Sequence, residues 1–237
     1  MSVLEVRDVT IEREGLPIVR RATLEAQAGS VTVLLGLNGA GKTTLLEGIS
    51  GVIGVRAGEV LLGGERIDRR PAYRRARAGL AHVEQGRGVF PDLTTEENLL
   101  VASPSGEIEA AFTLFPELDK RRNVVGGLLS GGEQQMLVVA RAIVRDPRVL
   151  LVDELSLGLA PVVLRRLMAA VVELAQQGMA IVLVEQFAAL ALEAGTKAYV
   201  LRGGEVVYDG TCAELRDEDG LLQRLYLGEA AGTGAAR

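Results

Sequence analysis

The stretch GLNGAGKTT, residues 36–44, directly follows the apolar run VTVLL, residues 31–35. Its glycines let the backbone wrap closely around a ligand, so that peptide N–H groups point inward. An uninterrupted helical pattern at residues 43–49 places a helix N-terminus, with its partial positive charge, behind this loop. The spacing G-x-x-x-x-G-K-T between a strand and a helix is the P-loop pattern. A glycine-rich turn that binds nothing is the alternative interpretation, but this spacing and context favour a phosphate-binding loop.

The side chains of this loop fit a nucleoside triphosphate. Lys42 supplies a positive charge for the β- and γ-phosphates, and the Thr43 hydroxyl is a predicted ligand of Mg²⁺. The other residues are expected to contribute mainly backbone N–H groups. The predicted nucleotide-binding residues of the loop are Gly36, Leu37, Asn38, Gly39, Ala40, Gly41, Lys42, Thr43 and Thr44.

A second apolar run, VLLV at residues 149–152, ends at two carboxylates, Asp153 and Glu154. Open parallel sheets bind ligands at the C-terminal ends of their strands, so both carboxylates are expected near the P-loop. We predict that Asp153 binds Mg²⁺ and that Glu154 orients or deprotonates the attacking water. An acidic pair after a strand is a weak signal alone, but together with the P-loop it indicates nucleotide hydrolysis.

The remaining pattern predicts an α/β fold with a mainly parallel sheet covered on both faces. Early strand-like runs at residues 4–9, 18–24 and 59–62 are joined by turns alone, which predicts an antiparallel β appendage at the N-terminus. Further predicted elements are a helix opened by the Thr94–Glu97 capping pattern and continuing to about residue 102, helical spacing at 108–115, a helix at 133–145, a helix from Pro161 that Gly178 ends, a buried strand at 180–184, and a hairpin of residues 199–201 and 206–208 around Gly203 and Gly204.

Composition limits the class of protein. A chain of 237 residues with 48% hydrophobic content can form one large α/β domain. No run of about 18 apolar residues is present, and the N-terminus lacks the features of a secretory signal. Cys212 is the lone cysteine, which excludes an internal disulfide, and the net charge of −5 argues against nonspecific nucleic-acid binding. No nucleic-acid partner is therefore expected.

Two other features receive structural interpretations. A group of arginines is interpreted as a solvated helix face, because charge runs usually are one. The one histidine, His82, lies on a presumed strand and is interpreted as structural. The arginine group consists of Arg69, Arg70, Arg74, Arg75 and Arg77.

The stretch LSGGEQQ, residues 129–135, discriminates among P-loop proteins. It is a second glycine-rich turn that opens a helix, and by the same physics it predicts a second anion-binding helix terminus. The guanine-reading run Asn-Lys-x-Asp is absent from the sequence, which counts against a GTPase.

From about residue 4 to residue 228 the sequence resembles the ATP-binding cassette (ABC) ATPases. LSGGEQQ is similar to the family's signature motif, and Gln85 in VEQGR is similar to its Q-loop glutamine, a Mg²⁺ ligand. In that family two cassettes meet head to tail, and each ATP lies between the P-loop of one chain and the signature of the other. The resemblance therefore implies that Ser130, Gly131 and Gly132 complete the ATP site of a partner cassette.

The resemblance also implies a domain organisation. A P-loop NTPase domain of the ABC type is expected over residues 1–228, with a helical signature subdomain at about 86–145. Residues 229–237 can bury little apolar surface and are expected to form a flexible tail.

Finer matches resemble one subfamily, the ATPase subunits of branched-chain amino-acid importers, particularly the smaller of the two paralogous subunits. Urea and short-amide importers share most of these stretches and remain an alternative. The matching stretches are VFPDLTTEENL (89–99), FPELDKR (115–121), LSGGEQQML (129–137), SLGLAP (156–161) and VEQ (184–186).

This resemblance implies an ATP-hydrolysing subunit bound peripherally to the cytoplasmic face of the cell membrane. Its expected partners are a second ABC ATPase subunit (a paralogue or a second copy), transmembrane permease subunits and, indirectly, a solute-binding protein. Two rivals are a soluble cassette protein of DNA repair, translation or cluster assembly, and a degenerate cassette that hydrolyses little. The chain lacks the coiled coils, zinc hooks or fused second cassette usual in the first, and intact Lys42, Asp153 and Glu154 argue against the second.

Several positions depart from the family pattern. Arg13 occupies the position of an aromatic residue that stacks on adenine, and its guanidinium plane is expected to stack instead. Gln186 occupies the position of the switch histidine and is expected to sense the γ-phosphate as a neutral group. Leu37, Glu84 and Leu155 replace prolines that are common in the family.

Overall fold

The computed structural model describes residues 2–86, 88–155 and 158–228; the expected tail at 229–237 and two residues of SLGLAP lie outside them. The strands are β1 (Ser2–Arg13), β2 (Leu16–Gln27), β3 (Val31–Leu35), β4 (Val55–Leu62), β5 (Glu65–Arg66), β6 (Leu80–Val83), β7 (Val149–Asp153), β8 (Ala180–Val184), β9 (Lys197–Arg202) and β10 (Glu205–Thr211). The helices are α1 (Lys42–Ser50), α2 (Ala72–Arg77), α3 (Thr95–Ala102), α4 (Glu109–Leu114), α5 (Pro116–Asp119), α6 (Gly131–Ile143), α7 (Pro161–Gln176), α8 (Ala188–Ala194), α9 (Cys212–Asp217) and α10 (Leu221–Leu227).

The N-terminal strands form an antiparallel sheet in the order β2-β1-β4-β5. A two-residue turn joins β1 to β2, and both of its residues, Glu14 (φ 52°) and Gly15 (φ 80°), have positive φ. Such turns match the right-handed twist of the strands they connect. The predicted antiparallel appendage is confirmed.

A larger sheet has the order β10-β9-β3-β8-β7-β6. Strands β9, β3, β8, β7 and β6 run parallel to one another, and β10 returns antiparallel to β9. The hairpin turn between β9 and β10 has positive φ at Gly203 (55°) and Gly204 (85°), as predicted. The mainly parallel core sheet is also confirmed.

The larger sheet separates two hydrophobic cores. Alternate residues of each strand point to opposite faces, so Leu34 packs with α1 and the antiparallel sheet, whereas Val33 and Leu35 pack with α6 and α7. All three are fully buried. Burial on both faces explains why β3, β7 and β8 are almost entirely apolar, with only Thr32 in β3 and Asp153 at the end of β7 polar.

Helix termini follow the predicted local signals. Thr94 caps α3 in a capping box with Glu97. Helix α6 begins at Gly131, two residues earlier than predicted, because Ser130 forms a second capping box with Glu133. Helix α7 has Pro161 in its first turn and ends two residues before Gly178, whose φ is 106°.

Arg75 corrects the interpretation of the arginine group as a solvated face. Its side chain is 2% exposed and donates to the carbonyl oxygens of Gly48 (2.7 Å), Ile49 (2.8 Å), Asp68 (2.6 Å) and Arg70 (2.8 Å). The carbonyls of Gly48 and Ile49 belong to the last turn of α1, where no backbone N–H of the same helix is available to them. Charge patterning alone cannot distinguish such a buried cap from a solvated arginine.

Candidate nucleotide-binding site

Most predicted site residues lie at one edge of the larger sheet. The P-loop follows β3, Gln186 follows β8, Asp153 ends β7 with Glu154 directly after it, and Gln85 follows β6. These four strands are consecutive neighbours in the sheet and run parallel, so their C-terminal ends form one row. Pairing between distant strands, which sequence patterns do not report, brings the four segments together.

The P-loop encloses the ammonium group of Lys42. Gly41, in the left-handed region at φ 105°, precedes α1, and Lys42 is its first residue. The Lys42 Nζ donates to the carbonyl oxygens of Gly36 (2.8 Å) and Leu37 (3.2 Å). Burial lowers the pKa of Lys42, while the charges of Asp153 and Glu154 oppose that change. The loop therefore holds a partly desolvated positive charge at its centre.

The P-loop glycines also allow close packing against β2 and β9. A Cβ on Gly36 would lie 2.4 Å from the carbonyl oxygen of Leu201, and a Cβ on Gly41 would lie 3.2 Å from that of Ile18. Gly39 has open space around it but needs glycine for its φ of 79°. Sequence reasoning anticipated the close approach of backbone to a ligand but missed these contacts with the protein.

Asp153 is a buried carboxylate that forms no hydrogen bond of normal geometry within the described residues, although the Thr43 hydroxyl lies close enough to affect its pKa. It is 1% exposed, and neither carboxylate oxygen has a partner among the described residues. Burial raises its pKa, as do the charges of Glu154 and Glu84; the Thr43 hydroxyl and Lys42 act in the opposite direction. Because burial of a carboxylate without well-formed hydrogen bonds is costly, this position fits a bound cation.

The predicted Mg²⁺ ligands are Thr43, Gln85 and Asp153. Within residues 2–86, 88–155 and 158–228, no group of three His, Cys, Asp or Glu side chains could hold a metal ion. A cation here would depend on one carboxylate, a hydroxyl and an amide oxygen, together with phosphate and water. Mg²⁺ accepts such oxygen ligands and usually keeps several waters, so the residues fit this ion.

Glu154 occupies an unusual backbone conformation at the end of β7. Its φ of 48° lies in the left-handed region, and its N–H donates to the Val184 carbonyl at 2.9 Å. The Gln85 Nε2 donates to its Oε2, also at 2.9 Å. Such strained conformations persist only where the surroundings fix them, and here two neighbouring strands do so.

The signature residues begin α6 rather than follow a strand. The Ser130 hydroxyl accepts from the Glu133 N–H (3.3 Å), and the Ser130 N–H donates to the Glu133 carboxylate (2.8 Å). Gly132 also has a packing role that sequence reasoning missed: a Cβ there would lie 2.7 Å from Cγ1 of Val163 on α7. The predicted helix terminus is therefore present, and Gly131 and Gly132 occupy its first turn.

Arg13 lies at the end of β1 and contacts α1, the helix that begins at the P-loop. Its Nε donates to the Thr44 Oγ1 at 3.1 Å, and its guanidinium forms an ion pair with Glu47. Sequence reasoning missed Glu47, although its position one helix turn after Thr44 could have indicated it. Gln186 lies in an exposed bend, next to the buried Glu185.

The sequence matches the family described as ABC transporter over residues 19–156, more than half of the chain. This chain is an ABC transporter ATPase. Its signature helix and P-loop thus belong to an ATP-binding and ATP-hydrolysing subunit. Among the helices within residues 2–86, 88–155 and 158–228, none combines the length and the apolar composition that a membrane span requires.

Individual relatives extend the likeness. BraG of Pseudomonas aeruginosa, a high-affinity branched-chain amino acid transport ATP-binding protein, is 38% identical over 200 residues, covering 81% of this chain and 86% of BraG. The probable branched-chain amino acid transport ATP-binding protein LivF of Archaeoglobus fulgidus is 37% identical over 212 residues, covering 86% and 89%. A solved structure of an ATP-binding subunit of an ABC transporter is 28% identical, with a TM-score of 0.81 over 96% of this chain and 99% of its own.

Proposed function

We propose that this ABC ATPase drives an importer of branched-chain amino acids from the cytoplasmic face of the cell membrane. The observation that supports this choice of cargo is the 38% and 37% identity of the chain with BraG and LivF over most of their length. Relatives named for phosphonate import and lipopolysaccharide export also match, at 33% and 27% identity, so other cargoes enter the test.

The row of strand ends supports a division of labour in ATP hydrolysis. Lys42 moves from the loop carbonyls to the β- and γ-phosphates, and Glu154 orients or deprotonates the water that attacks the γ-phosphorus. Thr43, Asp153 and Gln85 would hold Mg²⁺, which neutralises phosphate charge when bound with ATP. Gln186 would sense the γ-phosphate through its neutral amide.

The working site is proposed to use two chains. Ser130, Gly131 and Gly132 of a partner cassette would face the ATP bound by this chain, and the N-terminus of α6 would present unpaired N–H groups and partial positive charge to it. The partner is a paralogue or a second copy. ATP binding would close the pair of cassettes, and hydrolysis would reopen it.

The movement is proposed to pass to permease subunits through the helical subdomain, about residues 86–145, of a single domain at 1–228. This segment contains α3 to α6 and borders a groove of about 790 Å³ lined by His82, Gln85, Phe90 and Arg141, among others. Gln85, the proposed Mg²⁺ ligand, is therefore part of this groove. A solute-binding protein would act on the permease from the opposite side of the membrane.

Transport in a purified assembly tests the proposal. The tagged chain is isolated from its native membrane with its bound subunits and reconstituted in vesicles, and uptake of labelled leucine is compared with that of urea and a phosphonate. We expect ATP-dependent leucine uptake, and loss of uptake in a matched Glu154→Gln assembly. Uptake of another cargo alone would overturn the cargo assignment, and isolation without membrane subunits would overturn the transport role.

A further inference from the structure

We propose that Arg13 is a positioning residue for the phosphate-binding loop, and that it acts by orienting the hydroxyl of Thr44. The inference rests on ATP binding at residues 36–44 and is independent of the cargo. It differs from the expectation that the Arg13 guanidinium stacks on adenine.

Two contacts fix the Arg13 side chain against α1. The Nε–H donates to the Thr44 Oγ1 at 3.1 Å, and the terminal nitrogen pairs with the Glu47 carboxylate. The Arg13 side chain is 45% exposed, whereas that of Glu47 is only 19% exposed. Glu47 therefore serves as a sheltered anchor that aims the donor of Arg13 at Thr44.

The contact with Arg13 determines what the Thr44 hydroxyl can do. A guanidinium is a donor without acceptor capacity, so the Thr44 oxygen must accept this bond and its own proton points elsewhere. Within the described residues, the bond from Arg13 is the hydrogen bond that the Thr44 hydroxyl forms, and the hydroxyl donates none. In contrast, Thr113, also in a helix, donates its hydroxyl proton to the Glu109 carbonyl at 3.0 Å. Thr44 thus presents an uncommitted O–H donor.

The location of Thr44 makes that donor suitable for phosphate. Thr44 is the third residue of α1 and is 7% exposed, in the turn where backbone N–H groups have no helical partners. A hydroxyl donor there adds to the N–H donors that face an anion at a helix N-terminus. Because Glu47 neutralises Arg13, the main contribution of Arg13 is the direction of the hydroxyl rather than net positive charge.

A ligand without a base distinguishes this role from stacking. We measure the affinities of ATP and inorganic tripolyphosphate, each with Mg²⁺, by calorimetry for the wild type, Arg13→Ala, Thr44→Val and the double variant. We expect Arg13→Ala to lower the affinity for both ligands by a similar factor, about tenfold, which corresponds to the loss of one hydrogen bond to a charged group. In the Thr44→Val background, the same change should alter affinity less than about twofold, because coupled residues are not additive.

Controls keep the test decisive. Arg56→Ala removes an exposed arginine of the same sheet, paired with Glu12, and should change neither affinity. Glu47→Gln removes the ion pair that holds Arg13 but keeps the Arg13 side chain, so it should partially weaken the binding of both ligands. This variant replaces Arg13→Ala in the test if Arg13→Ala does not fold. Weaker ATP binding with unchanged tripolyphosphate binding would show stacking on the base and overturn the proposal. Unchanged affinity for both ligands, or an equal loss in the presence and absence of the Thr44 hydroxyl, would also overturn it.

Discussion

The amide of Gln85 donates to the carboxylate of Glu154 across 2.9 Å, joining the ends of two neighbouring strands. Gln85 follows β6 and Glu154 follows β7, 69 residues apart in sequence. This bond couples the segment proposed to reach the permease groove to the residue proposed to activate water. Any movement of Gln85 therefore changes how the Glu154 carboxylate is held.

We expect Glu154→Gln to retain ATP binding but slow hydrolysis by roughly 10²-fold or more, because an amide cannot act as a general base. Glutamine still offers an acceptor oxygen to Gln85, so the side chain can keep its position. Single-turnover hydrolysis and nucleotide affinity measure the two effects. An ATP-bound dimer should accumulate, whereas hydrolysis at the wild-type rate would show that another group activates the water.

Complementation between inactive chains tests the two-chain site. Mixing Lys42→Ala with Ser130→Arg places both changes in one composite site and leaves the other intact, so part of the ATPase activity should return. Each variant alone should be inactive. Activity and mixed-dimer formation are measured in the same samples.

Ser130→Asn is the matched control for that experiment, because Ser130 also caps its own helix. Asparagine preserves the N-cap, whereas losing a cap costs about 1 kcal/mol. Ser130→Asn should therefore keep the stability of the wild type. No recovery of activity in demonstrated mixed dimers would contradict the composite site.

Gln186 provides a test of the neutral γ-phosphate sensor. Gln186→Ala should reduce turnover at least about tenfold, equivalent to about 1.4 kcal/mol in the barrier. Gln186→His should retain activity and introduce a pH dependence between about pH 6 and 7, where histidine titrates. Steady-state rates across this range measure both effects. Because Gln186 is exposed, unchanged turnover in Gln186→Ala would leave it as a simple surface residue.

His82 should make stability depend on acid pH. Burial lowers its pKa to about 4 from an ordinary value of 6.5; its Nδ1 lies 3.0 Å from the Ser50 hydroxyl, and its Nε2 has no partner in the described structure. The unfolded chain therefore binds the proton more tightly, so this contribution to stability is full above pH 6.5 and is lost as pH falls towards 4.

Replacing His82 by glutamine should remove this contribution. Between pH 6.5 and 4 the free energy of unfolding of the wild type should fall by about 3 kcal/mol more than that of His82→Gln. Denaturant titrations at several pH values measure the difference. Parallel pH curves for the two proteins would show that His82 is not protonated on unfolding.

Arg75 should contribute strongly to stability. Arg75→Lys keeps the charge but cannot reach the four carbonyl oxygens that the guanidinium satisfies, and we expect a loss of about 3 kcal/mol in the free energy of unfolding. Arg74→Lys, one residue earlier and exposed, should change it by less than about 0.5 kcal/mol. Chemical denaturation of both variants provides the comparison. Equal stability of the two would mean that the carbonyls find other partners.

The sequence by itself determined the features that depend on neighbouring residues. The P-loop, the apolar strands ending at Asp153 and Val184, the Thr94 cap and the Gly203–Gly204 hairpin all follow from local spacing, backbone preference and side-chain period. Each signal spans only a few residues, so it does not depend on how distant segments of the chain pack together. The family also follows from such stretches, because GLNGAGKTT and LSGGEQQ occur together.

The tertiary structure alone decided which of these segments meet. The order β3-β8-β7-β6 aligns the P-loop, Gln186, Glu154 and Gln85, although the strands are far apart in the chain. Contacts between distant segments also turn Arg75 into a buried helix cap and direct Arg13 to Thr44. Such contacts depend on how whole elements pack, and a charged side chain carries no local signal that separates a solvated position from a buried or directed one.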